Sequence, residues 1–117
     1  MCAPAAGQAA SQVKLLTKHG LGDAYPGMEA TLVQVTIPPG NGSPVHRHPG
    51  FILGYVLEGE MRFSVKGGKE QRVKQGETFY EAPGDVHTRS ASALPDKPVR
   101  ILAFMVAPQG SPVTLPE

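Results

Sequence analysis

The chain has 117 residues, 11 lysines and arginines against 10 acidic residues, 40% apolar residues and a single cysteine, Cys2. A formal net charge of +1, with no two basic residues adjacent, argues against nucleic acid or an anionic membrane as a partner, and one thiol excludes an internal disulfide or a cysteine-rich zinc site. The length suits one domain, and the longest apolar run, FILGYVL, falls far short of the ~20 residues that span a bilayer. The reading is therefore of a soluble protein without a membrane span. No leader pattern favours export, so the cytoplasm is preferred, with periplasm or secretion left open.

Glycine (14) and proline (12) are abundant but scattered between apolar runs, as in short strands joined by tight turns. Residues 1–11 read as a flexible lead-in, 12–110 as the folded domain and 111–117 as a proline-containing tail. Gln12–Thr17 is a short edge strand, and the turn-rich segment after it leaves His19 on the surface. Glu29–Ile37 alternates, with Thr31, Val33, Val35 and Ile37 on one side and Gln34 on the other, which predicts a strand. After PPGNGSP the spacing predicts one strand that holds His46 and His48 and runs on through Phe51–Leu57. Glu58-Gly59-Glu60 turns the chain into Met61–Val65, and the Gly67-Gly68 pair makes a hairpin to Gln71–Lys74. Thr78–Glu81, Val86–Ser90 and a long Val99–Ala107 complete a set of eight to ten strands. No amphipathic helix or internal repeat is present, so the class is all-β, a single sandwich or barrel.

Residues i and i+2 of a strand share a face, so His46 and His48 project together at a spacing that lets two imidazoles share one ion. The segment GETFYEAPGDVH brings a further histidine, His87, just after a Pro-Gly turn. Together these stretches resemble the two motifs of the cupin superfamily, G(X)5HXH(X)3,4E(X)6G and G(X)5PXG(X)2H(X)3N. Gly40, His46, His48 and Gly59 match the first, and Gly76, Gly84 and His87 the second. GYVLEGE and FYEAPGDVH are similar to a set of small single-domain bacterial cupins. The chain departs from the pattern at Ile52, where the first motif has its acid, and at Ala82 and Ala91 in the second.

The resemblance implies a jelly-roll β-barrel with a metal centre on His46, His48 and His87, lacking the usual glutamate. It permits one divalent transition metal (Fe, Ni, Cu, Mn or Zn), and three-histidine Fe(II) chemistry of the kind found in cupin thiol and diketone dioxygenases. Neutral ligands leave the full charge on the ion, which favours an anionic bidentate substrate such as an enolate or carboxylate. Glu81 and Tyr80 are the candidate catalytic groups, Glu81 either as a general base or as an acceptor orienting an imidazole N–H. Gly54, on the same parity as Ile52, is expected to leave room for a ligand. Tyr55 is expected to pack, Asp85 to make a turn contact, and Phe63, Phe79 and Phe104 to form core or pocket wall. Gln34 and Arg100 lie on strands whose facing the pattern does not decide.

Two functions are consistent with this reading. One is a metal-dependent enzyme, dioxygenase-like or a metal-assisted isomerase or lyase, acting on a small oxygenated molecule. The alternative is a non-catalytic barrel of the same fold that binds or senses a small ligand. Apolar residues on both parities of Phe51–Leu57 and Val99–Val106 exceed what one barrel interior needs, which predicts a homodimer.

Overall fold

A computed structural model describes residues 11–40, 42 and 44–116, so the expected lead-in lies outside the described residues apart from Ser11. It contains ten strands among these residues: β1 (Gln12–Gly20), β2 (Met28–Ile37), β3 (His46–Arg47), β4 (Phe51–Glu58), β5 (Glu60–Val65), β6 (Gln71–Lys74), β7 (Thr78–Glu81), β8 (Val86–Ser92), β9 (Val99–Pro108) and β10 (Leu115–Pro116). They form two antiparallel five-stranded sheets, ordered β1-β2-β9-β4-β7 and β10-β3-β8-β5-β6. The all-β jelly-roll expectation holds.

The strand expected to run unbroken from the histidines to Leu57 is two strands in different sheets. His46–Arg47 pairs with β8, whereas Phe51–Glu58 lies between β9 and β7. Proline cannot donate to a ladder, so Pro49 ends pairing on one sheet and Gly50 lets the chain cross to the other. A Cβ at Gly50 would collide with the Val106 carbonyl and press on Ala107 Cβ at 3.0 Å. The chain crosses back at Gly59, which adopts φ 84°.

The expected alternation in β2 is observed. Thr31, Val33 and Ile37 are buried, and Gln34 lies on the opposite parity, outside the cavity described below. Arg100 also faces outward, 4.0 Å from Glu58. Ile37, Val56, Met61 and Val99 are wholly enclosed and plug one end of the sandwich. None of the four lines the cavity, which begins where Ile52 and Met105 replace them. The room expected beside Gly54 is filled, since a Cβ there would strike the Phe79 ring. Phe63 and Phe79 are buried with ring centroids 5.0 Å apart. Phe104 differs from expectation and packs on Phe51 along the outer face, and Tyr55 is exposed on that face as well.

Two ends of the chain also depart from the reading. β1 extends through His19, whose exposed ring bonds Thr17 Oγ1 at 2.7 Å. The segment read as a tail returns to the sheet, where Leu115 and Pro116 pair with Arg47 and His46.

Gly50→Ala should destabilise the protein by about 1–3 kcal/mol, because a backbone carbonyl cannot yield as a side chain can. Thermal unfolding should show a Tm fall of roughly 10 °C, whereas Gly68→Ala, whose nearest obstruction is Val65 Cγ2 at 3.3 Å, should leave it nearly unchanged. Equal effects from the two variants would contradict the tight crossing.

Candidate metal centre

Antiparallel pairing of β3 with β8 sets His46 directly opposite His87. His48, two residues on, turns inward past the end of β3 while Arg47 between them is exposed. The ring centroid of His46 lies 4.8 Å from that of His48 and 4.8 Å from that of His87. One ligand atom from each of the three rings falls within 4.8 Å of the other two. The three histidines singled out by the sequence therefore meet at one place.

Backbone carbonyls fix two of the rings. Pro44 O lies 2.8 Å from His46 Nδ1, and Val113 O lies 2.7 Å from His48 Nδ1. A carbonyl only accepts, so each Nδ1 carries the proton and donates it, which leaves each neutral Nε2 with a bare lone pair. Metal-ligating imidazoles are oriented in this way, by an acceptor that takes the proton of the other ring nitrogen. Neither carbonyl was visible in the side-chain pattern, and Val113 belongs to the segment expected to be a tail.

Glu81 arrives from the other sheet. It is 2% exposed, with Oε1 3.2 Å from His87 Nδ1 and Oε2 3.6 Å from His48 Nε2. Among the described residues, the buried side-chain nitrogens and oxygens without a hydrogen-bond partner are Glu81 Oε1 and both ring nitrogens of His87. Buried polar atoms are seldom left so, and here every such atom sits in one cluster of metal-type donors. The residues present fit a divalent transition metal.

Tyr80 is not brought to the site. It alternates with Glu81 on β7, is 54% exposed and faces away from the histidines. Asp85 makes the expected turn contact, its Oδ2 accepting from the Ala82 N–H at 2.9 Å.

The site opens into a cavity of about 450 Å³. Its wall is largely apolar, built from residues such as Val33, Ile52, Ile101, Met105, Val113 and Leu115. Buried Thr31 and Ser90, which the sequence did not single out, add hydroxyls to it.

Burial governs the protonation of the cluster. Desolvation, reinforced by the neighbouring Asp85 charge, raises the Glu81 carboxyl to about 8. Desolvation, with His46 and His48 nearby, lowers His87 to about 3, and burial likewise lowers His48. A raised folded-state value means stability fully present below the unfolded value near 4.5 and lost as pH rises through about 8. A lowered histidine means the opposite: stability is present above the unfolded value near 6.5 and lost as pH falls toward about 3. The two slopes oppose each other between those unfolded values and Glu81 acts alone above them. Chelator-treated protein should therefore be most stable near pH 6 and lose at most about 1.4 kcal/mol per pH unit on the alkaline side. Urea midpoints across pH 5–9 would measure this, and Glu81→Gln should flatten the alkaline limb. An undiminished limb in that variant would assign it to another group.

Comparison with known proteins agrees with this architecture. A search of the curated proteins finds no match. Among solved structures, an uncharacterised conserved protein with a double-stranded β-helix domain from Klebsiella pneumoniae superposes with a TM-score of 0.69 at 22% identity, covering 98% of this chain and 90% of that one. The DMSP lyase DddQ from Ruegeria pomeroyi superposes at 0.64 and 22% identity over 74% of this chain, which spans only 42% of the lyase. The polyketide cyclase RemF from Streptomyces resistomycificus gives 0.58 at 28% identity, covering 73% of this chain and 58% of the cyclase. The family model for the cupin domain matches residues 33–105, more than half the sequence and both histidine motifs. The chain belongs to the cupin family.

Proposed function

We propose that this cupin is a mononuclear metalloenzyme that holds one divalent transition metal on His46, His48 and His87 and acts on a small oxygenated molecule. The observation that carries the reading is the convergence of three imidazoles, two of them turned by backbone carbonyls so that Nε2 is bare. A divalent ion held there supplies Lewis acidity toward a substrate oxygen and, if it is iron, a route to dioxygen chemistry. Dioxygenase-like reaction and metal-assisted isomerisation or elimination both suit such a centre. A lyase and a cyclase among the structural neighbours show that the barrel accommodates different reactions, so the fold itself selects none of them.

The chain's own residues define what binds. A cavity of about 450 Å³ lies in the range that encloses a small organic molecule. Among the described residues no lysine or arginine lines it, so an anionic or enolic head group finds its partner at the histidine cluster and not on the wall. The apolar remainder of the ligand then lies against Val33, Ile101 and Met105, sheltered from water.

The protein is also proposed to be a homodimer. Leu53, Tyr55, Leu57 and Tyr80 are 37–54% exposed on the outer face of β4 and β7, next to the Phe51–Phe104 pair. A contiguous apolar sheet face of this kind suits a second copy stacked on it.

Elemental analysis of protein purified without chelator should find about one equivalent of Fe, Ni, Cu, Mn or Zn. His46→Ala and His87→Ala should lose the metal while keeping the β-type circular dichroism spectrum. Iron would direct oxygen-consumption assays to diketones, thiols and phenols. Absence of metal, even after reconstitution with each ion, would replace the enzyme with the ligand-binding barrel. For the assembly, light scattering at micromolar concentration should give twice the monomer mass, and Leu53→Lys should halve it. A monomeric parent would refute the dimer.

A further inference from the structure

Resting on the metal-centre reading, we infer that Glu81 is itself a ligand, supplying from β7 the carboxylate that the chain lacks on β4. The family's first motif carries its acid at the position of Ile52, and in this structure Ile52 is paired with Glu81 across the β4–β7 ladder. Directly opposite residues of an antiparallel pair present their side chains on one face, with Cβ atoms roughly 5 Å apart. Both are buried, and both line the cavity beside the histidines. The chain has moved the acid one strand sideways along the sheet without changing the face it serves.

The His48 contact points beyond the two roles the sequence suggested for Glu81, a general base or an acceptor orienting an imidazole N–H. Donors that share one ion at about 2.1 Å lie roughly 3–4 Å from one another. Glu81 Oε1 is 3.2 Å from His87 Nδ1, and Oε2 is 3.6 Å from His48 Nε2. Neither contact is a hydrogen bond, and Oε1 has no other partner. The His48 contact carries the most weight, since Val113 already takes the Nδ1 proton and Nε2 therefore faces the carboxyl oxygen with a lone pair. Lone pairs turned toward each other at this distance need a cation between them, a proton or a metal ion. Each oxygen of Glu81 lies within 3.6 Å of a ring nitrogen. The resulting set is three imidazoles and one carboxylate, with the acid on the opposite sheet from His46 and His87.

Cobalt(II) binding, followed by competition with a chromophoric chelator and by the visible ligand-field spectrum, tests this assignment. The parent should bind Co²⁺, and Glu81→Gln should bind it more than about 100-fold more weakly, beyond the roughly 10- to 100-fold cost of losing a group that only orients a ligand, with an altered spectrum. Glu81→Ile should be weaker still. The double variant Ile52→Glu/Glu81→Ile, which returns the acid to β4, should recover at least about tenfold of that loss. Parental affinity and spectrum in Glu81→Gln would overturn the assignment while leaving the three-histidine centre standing. A folded double variant with no recovery would overturn the sideways transfer. A parent that takes up no Co²⁺ would remove the metal centre and the ligand with it, an outcome separable from the other two.

Discussion

Desolvation of His48, Glu81 and His87 inside an apolar sandwich is the constraint around which this protein is organised. Burial opposes charge on imidazole and carboxyl alike, and it moves the two in opposite directions, lowering His87 to about 3 and raising Glu81 to about 8. At neutral pH, without a cation, His87 and Glu81 are both driven to their uncharged forms, and Glu81 Oε1 and the His87 ring nitrogens lie without hydrogen-bond partners. A divalent ion reverses both penalties together. It requires the neutral form of each histidine, and it returns to the carboxylate a counter-charge that water no longer provides. Burial that would be a liability for stability alone becomes selective for a bound cation.

Placing such a cluster needs both sheets. His46 and His87 are neighbours on one sheet, opposed across β3 and β8, whereas Glu81 belongs to β7 on the other. The crossing at Pro49-Gly50 carries the chain between them within a few residues of the histidines, and the Val106 carbonyl leaves no space there for a side chain. Apolar residues then divide the interior. Ile37, Val56, Met61 and Val99 close one end completely, and the opposite end keeps a cavity whose polar groups are concentrated at the cluster.

Much of this was legible in the sequence because it is written in side-chain period and motif spacing. The alternation of Thr31, Val33, Val35 and Ile37 identifies β2 and its inner face, and the intervals from Gly40 to His46 and from Gly76 to His87 identify the three imidazoles. What stayed hidden depends on register and backbone. Period alone cannot say that the chain changes sheets between His48 and Phe51, so the two strands read as one. It cannot pair Ile52 with Glu81 either, and without that pairing the loss of the motif's acid looks like the loss of a charge. Tyr80 is near the motif in sequence, yet adjacent residues of a strand face opposite ways, and the neighbour of a buried Glu81 has to face out. Gly54 suggests open space because glycine has no side chain, but the Phe79 ring occupies that volume.

The segment least expected to matter binds the cavity rim to the cluster. Val113, Thr114 and Leu115 line the cavity, Leu115 pairs with Arg47 on the histidine strand, and the Val113 carbonyl holds His48 Nδ1 at 2.7 Å. β10 pairs with β3 alone and over two residues, so little else in the sheet secures it. Displacing it would enlarge the opening to the cavity and, in the same movement, release the His48 ring and its tautomer. The rim of the cavity and the orientation of one donor therefore rest on the same short segment, through a backbone carbonyl that no side-chain pattern singles out.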